Sequence, residues 1–248
     1  MLAQIRQEAV NSLHFILQSF AVVERILRSR TVHFGETHKK ETLPGMVGRL
    51  LVVTVSGFAV AGFVMGLSGH SVLQALASAL KLPLLFVASG LICLPTLYQF
   101  SVLFGSRLQF WQTWALILTA QTVSATLALG FAPIILLFWI SGVDPTFLVA
   151  LNTAALGVSA AVGLIFCVQG VLYVQEADPP SKVTFFAWVG MLFRGTFRSL
   201  VLTAWLFVYG LVGAQMSWAL RPFFGVPLHG TSFLDSVYRL VTRLVGLA

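Results

Sequence analysis

Charge is what this chain has least of. Only 9% of its 248 residues are Asp, Glu, Lys or Arg, against about 25% in a typical soluble domain. So few ionised groups cannot cover a water-facing surface, which excludes an ordinary soluble globular domain. Carboxylates are scarcest, with eight Asp and Glu against fifteen Lys and Arg. Glu176 and Asp178 are the one close acidic pair beside an apolar run, and next to Pro179-Pro180 they read as a solvated turn rather than a metal site. Cysteine is nearly absent. Cys93 and Cys167 both fall inside apolar runs, match no metal-ligand spacing, and read as small buried hydrophobes.

Catalytic punctuation is missing as well. There is no G-x-S-x-G, no H-E-x-x-H, no Walker A loop and no dinucleotide fingerprint. The expectation is a non-enzyme with no cofactor and no metal. The net charge of +7 carries no basic patch with interleaved aromatics, so nucleic acid is not expected as a partner.

What the chain does have is apolar material in long runs. Apolar residues make up 58% of it, and the mean hydropathy is +0.92. A helix of about 20 residues crosses the roughly 30 Å hydrocarbon core of a bilayer. The runs predict an all-α polytopic membrane bundle with about five spans, near residues 50–68, 82–104, 111–140, 147–173 and 200–220, within a transmembrane region at 47–222. Residues 1–46 precede it as an amphipathic helix and a polar linker. Leu2, Ile5, Ala9, Leu13, Ile16, Phe20, Val23 and Leu27 recur at spacings of three and four, which makes one apolar stripe. The linker crowds His33, Glu36, His38, Lys39, Lys40 and Glu41 before Pro44-Gly45, and reads as a solvated loop rather than a metal cluster. The polar residues that interrupt the N-terminal stripe do not suit a cleaved signal peptide, so the first span is expected to act as an uncleaved anchor. His70 to Lys81 reads as a short amphipathic stretch, and residues 223–248 as an amphipathic tail. Residues 183–198 are aromatic-rich with Arg194 and Arg198, either an interfacial helix or a sixth span; the cost of burying arginine favours the first.

Inside the spans, polarity is carried by amides and hydroxyls. No charge occurs from Leu108 to Val143, yet Gln112, Thr113, Gln121, Thr122, Ser124 and Thr126 make the third span the most polar, so this face is expected to look into the bundle. Small residues at Gly57, Gly62 and Gly66, and again at Ala155, Gly157, Ala160, Ala161 and Gly163, predict close helix packing. Pro95 should kink the second span, and the third should be kinked or broken between Gly130 and Pro133. Pro95, Gln121 and Pro133 are therefore the candidate hinge or path. The segment QMSWALRPFFGVP places Trp218, Arg221, Phe223 and Phe224 at a helix end, where they suit the headgroup belt or a contact with a partner or lipid.

Orientation follows from the basic residues. With five spans, eleven of the fifteen Lys and Arg fall on the N-terminal side and four on the other. The positive-inside rule then places the N-terminus in the cytoplasm, with basic segments against anionic headgroups. A bacterial inner membrane is the expected setting.

The five-span plan with its amphipathic N-terminus, together with LPTLYQF (Leu94 to Phe100) and QMSWALRPFFG, resembles the Yip1-like family of small polytopic membrane proteins, of an uncharacterised bacterial type. The resemblance covers roughly residues 44–225. It implies a non-enzymatic scaffold or membrane-organising role. Taken with the charge-free spans and small-residue faces, it gives the leading expectation: a protein that assembles with itself or a protein partner in the bilayer. The alternative is a transporter or channel subunit with a path near spans two and three.

Overall fold

The computed structural model describes residues 21–24, 26, 28, 33–35, 43–67, 72–103, 109–175 and 197–220. Among them there is no strand, and five long helices order the chain. We label them α1 (Leu43–Gly66), α2 (Val72–Leu103), α3 (Phe110–Ile140), α4 (Pro145–Gln175) and α5 (Phe197–Leu220). They hold 24 to 32 residues, or about 36–48 Å at 1.5 Å per residue, enough to cross a bilayer with some tilt or overhang. Among the described residues, four stretches are long and apolar enough to cross: α1, Val72–Gln99 of α2, α3, and Phe147–Val171 of α4. The fifth predicted span coincides with α5. The architecture is an all-α polytopic helix bundle.

Consecutive helices reverse direction. Gly66 at the end of α1 meets Ala75 near the start of α2. Phe86 and Gly90 of α2 meet Gln121 and Ile117 of α3 in descending order. Gly163 and Gly170 of α4 meet Ala120 and Leu116 of α3 in the same sense. On α1, Thr54 and Gly57 meet Thr122 and Ala125 of α3 in ascending order, so those two helices run parallel. Trp205 of α5 meets the Cys93 backbone of α2, while Tyr209, one turn later, faces Ser89. Helices α1, α3 and α5 therefore point one way, and α2 and α4 the other.

The most enclosed helix is α3. It packs against α1 and α4, and more lightly against α2, which in turn carries α5. Phe58 and Phe86 stack with ring centroids 3.9 Å apart, in a cluster that also holds Met65, Leu82, Ala125, Ile135 and Ala155. A second cluster joins Leu50, Ala115, Leu118 and Phe166, and a third joins Leu97, Leu116, Val171 and Trp205.

Several boundaries differ from the sequence reading. Span one starts earlier, because Pro44 sits in the first turn of α1, where its missing N–H costs nothing. The stretch from Val72 to Lys81 is not separate from span two; both belong to α2, with Lys81 half-buried on it. The 22 residues after Lys81 still cover about 33 Å, so the lysine stands at the edge of the apolar run. Helix α3 is continuous through Gly130 and Pro133, and α2 through Pro83 and Pro95, so the break expected in span three does not occur. Each proline forfeits one backbone hydrogen bond, but unwinding in an apolar medium would orphan several more. The Asp144-Pro145 turn is as expected: Gly142 takes φ 70°, and the Asp144 carbonyl accepts the Leu148 N–H at 3.2 Å as α4 begins.

The polar linker is the larger correction. Residues 33–35 are helical, and His33 and Phe34 are 1% and 3% exposed, so this part is not a solvated loop. Val22 and Ile26 of the N-terminal segment are also buried, in the cluster with Leu50 and Phe166. The unpartnered groove beside α3 is a stronger sink for Phe34 and Ile26 than water, and His33 follows because it finds a hydroxyl there.

Candidate functional site

The candidate site is the polar seam of α3. Thr119, Thr122 and Thr126 fall at i, i+3 and i+7, on one face of the helix. Each hydroxyl bonds back to the carbonyl four residues earlier: Ala115 at 2.7 Å, Leu118 at 2.8 Å and Thr122 at 2.8 Å. A hydroxyl has one proton, so these short bonds leave each Oγ1 as an acceptor. Thr122 Oγ1 lies 3.0 Å from Thr54 Oγ1, which makes Thr54 the donor across the α1–α3 interface. Thr119 Oγ1 lies 3.0 Å from His33 Nε2. The ring proton must then reside on Nε2.

Gln121 points to the other side of α3 and is 1% exposed. Its Nε2 donates to the Phe86 carbonyl of α2 at 2.5 Å and more weakly to Tyr209 Oη of α5 at 3.4 Å. The amide lies against Gly90, where a β-carbon would collide with it. Its Oε1 is buried and has no hydrogen-bond partner among the described residues. Ser89 Oγ donates to the same Phe86 carbonyl at 3.0 Å, and Trp205 Nε1 donates to the Cys93 carbonyl at 3.4 Å. On the far side, Asn152 Nδ2 of α4 donates to the Met65 carbonyl of α1 at 3.3 Å. Hydroxyls and amides thus cross-link α1, α2, α4 and α5 around α3, each interhelical link contributing about 0.6–2 kcal/mol in a membrane.

Small residues bring the helices close enough for these links. A β-carbon on Gly62 would stand 2.6 Å from the Ser78 carbonyl oxygen, and one on Gly66 would stand 2.7 Å from Ala75 Cα. A β-carbon on Gly163 would overlap Ser124 Oγ and the Ala120 carbonyl. The predicted α4 surface divides. Ala155 and Gly163 face inward, whereas Gly157 and Ala161 face outward, and nothing lies within 4 Å of a β-carbon on Gly157.

The sequence-predicted site residues do not converge on one place. Gln121 is at the α2–α3–α5 junction. Pro95 is two residues beyond Cys93 on α2, inside the continuous helix; Pro133 is 12 residues beyond Gln121 on α3. Trp218 lies in α5, its side chain outside the described residues, as are Arg221, Phe223 and Phe224. Glu36, His38 and Glu41, the acidic pair Glu176 and Asp178, and residues 183–196 also lie outside them. Among the described residues, no group of three or more His, Cys, Asp or Glu could hold a metal ion. Sequence reasoning missed His33, Thr54, Ser89 and Tyr209 as parts of the seam. An aromatic beside a histidine within an otherwise charged linker was the available signal for the first.

No family model, no curated protein and no solved structure matches this chain.

Proposed function

We propose that this chain is a non-enzymatic multi-pass membrane protein, a scaffold that assembles with itself or with a protein partner in the bilayer. One observation carries the reading: the outward face of α4 is built of small side chains. Ala150, Thr153, Ala154, Gly157 and Ala161 are not enclosed by the bundle, with Val158 among them and Phe147 in the first turn as the large exposed residues. The outward faces of the other helices carry bulk instead, such as Phe63 on α1, Leu84 and Leu91 on α2, Leu137 on α3 and Phe207 on α5. Lipid solvates bulky aliphatic groups well, whereas small residues let a second helix approach its backbone closely. The Yip1-like resemblance points the same way. Gly62, Gly66 and Gly163 are used within the chain, whereas Gly157, like Gly130, Gly210 and Gly213, has nothing within 4 Å of its β-carbon position.

The charge asymmetry supports an N-terminus in the cytoplasm with α5 as a fifth span, and the setting we propose is a bacterial inner membrane. The transporter or channel-subunit reading draws on a different feature, the buried Gln121 Oε1 that has no donor among the described residues. The tight seat of that amide on Gly90 and Phe86 favours a structural strut over a path.

The test is cysteine cross-linking in membranes. In a chain with Cys93 and Cys167 replaced by Ala, Gly157→Cys is expected to form an intermolecular disulfide with a second copy, or a cross-link to a discrete partner. Leu91→Cys on α2 is expected to form none. Equal behaviour at the two positions would contradict the assignment of the α4 face.

A further inference from the structure

Arg49 is a cation set into the wall of the bundle without a counter-charge. It lies six residues beyond Leu43, the first residue of α1, and is half-buried. Its Nε is enclosed and has no hydrogen-bond partner, while its terminal nitrogens are not enclosed. A guanidinium carries five N–H donors and no acceptor, so it needs an anion or several oxygens beside it. The described residues hold two carboxylates, Glu24 and Asp144. Glu24 pairs with Arg28 on the exposed surface. Asp144 lies at the turn between α3 and α4, at the opposite end of the bundle. Neither α1 nor α3, which flank Arg49, has an acidic residue in its first turn.

The depth of Arg49 can be measured along α3. Trp111 and Trp139 stand near its two ends, 28 residues and so about 42 Å apart. A bilayer with its headgroups measures about 40–45 Å, so the two rings suit its two aromatic belts, with Ala125 at the midplane. Thr54 meets Thr122, 68 residues later, and Gly57 meets Ala125 at the same offset. That offset sets Arg49 level with Ile117, about 12 Å from the midplane. Its Cα is then just inside the roughly 15 Å half-thickness of the hydrocarbon core. Side chains on a helix lean towards its N-terminus, so the guanidinium reaches back into the headgroup layer.

We propose that Arg49 binds the phosphate of an anionic phospholipid in the leaflet on the side where α1 starts. The enclosed Nε holds the stem against the bundle, and the terminal nitrogens form a planar fork that matches two phosphate oxygens. The excess of Lys and Arg over the whole chain gives only a diffuse attraction to such lipids; Arg49 fixes one of them at a point. This inference rests neither on the assembly reading nor on which side is the cytoplasm.

The test titrates fluorescent phosphatidylglycerol into the full chain in neutral-detergent micelles. The wild-type chain is expected to bind it more tightly than fluorescent phosphatidylcholine, and to keep it in an excess of inorganic phosphate. Arg49→Gln is expected to weaken the binding by roughly tenfold, the worth of a charge-assisted hydrogen bond. Arg49→Lys keeps the charge but loses the fork, and is expected to weaken it at least twofold. It carries the comparison if Arg49→Gln does not fold. Arg28→Gln makes the same charge change at an exposed position on the same segment of the chain, and is expected to leave the affinity within twofold. Added phosphatidylglycerol is expected to raise the Tm of the wild-type chain but not that of Arg49→Gln. Equal losses in Arg49→Gln and Arg28→Gln would overturn the proposal, since net charge alone would then account for binding. Equal binding of the two lipids would overturn it as well. Release of the lipid by inorganic phosphate would overturn the lipid assignment and show a site for a soluble anion.

Discussion

Replacing Gly163 by Ala puts one methyl group where α3 and α4 are closest. The new carbon would overlap Ser124 Oγ and the Ala120 carbonyl. The hydroxyl could rotate away, but the carbonyl belongs to the backbone of the central helix and cannot. The helices must separate, and the neighbouring contact at Gly170 with Leu116 loosens with them. Overpacking of this kind costs about 1–3 kcal/mol. Against it stands the better helix propensity of Ala, about 1 kcal/mol at most. The net is a loss of about 1–2 kcal/mol. Gly130→Ala on α3 is the matched reference. Nothing lies within 4 Å of its β-carbon, so only the propensity remains and the change stabilises by up to about 1 kcal/mol. For a chain of this size 1 kcal/mol moves Tm by roughly 2–4 °C. Thermal unfolding in one detergent should therefore show Gly163→Ala lower by about 2–8 °C and Gly130→Ala level or slightly higher. Shifts of the same sign and size would refute the close approach of α3 and α4.

Three further substitutions test other parts of the bundle. Thr54→Val keeps the shape but removes the donor to Thr122, and should cost about 0.6–2 kcal/mol by thermal or denaturant unfolding. Phe58→Ala empties a fully buried site stacked on Phe86 and should cost about 3–5 kcal/mol, read as a large loss of Tm in the same assay. Gln121→Leu loses the links to Phe86 and Tyr209 but also removes the orphaned Oε1, whose burial costs about 1–3 kcal/mol. The terms oppose, so stability should change by less than about 1 kcal/mol, and a loss above 3 kcal/mol would show that Oε1 has a partner in the folded protein.

The helices were legible where one physical signal dominated. Charge-free apolar runs long enough to cross a bilayer gave α3 and α4 almost to the residue, because nothing else accommodates such runs. The inward direction of Gln121, Thr122 and Ser124 was legible for the same reason: an amide or hydroxyl at that depth needs a partner. The close contacts at Gly57, Gly62 and Gly66 followed from residue size. Of the kink or break expected between Gly130 and Pro133, the break is absent, since the soluble rule that proline ends a helix weakens where the freed carbonyls have no water to turn to. His33 was misread because local composition outweighed the tertiary fact that decides it. A groove formed by Gly170, Leu116 and Thr119 exists only after α3 and α4 have packed, and nothing in the linker itself announces it. The division of the α4 small residues between two faces was likewise invisible until Gly163, and not Gly157, met α3.

Assembly through the outer face of α4 is tested most directly by the mass of the intact particle. The measurement is native mass spectrometry of the detergent-purified full chain, beside the variant Gly157→Leu. The wild-type chain should appear as two or more copies or with a stoichiometric protein partner. Gly157→Leu should appear as the single 27.0 kDa chain with its Tm preserved. A wild-type chain that runs alone, or a complex that Gly157→Leu leaves intact, would contradict the account.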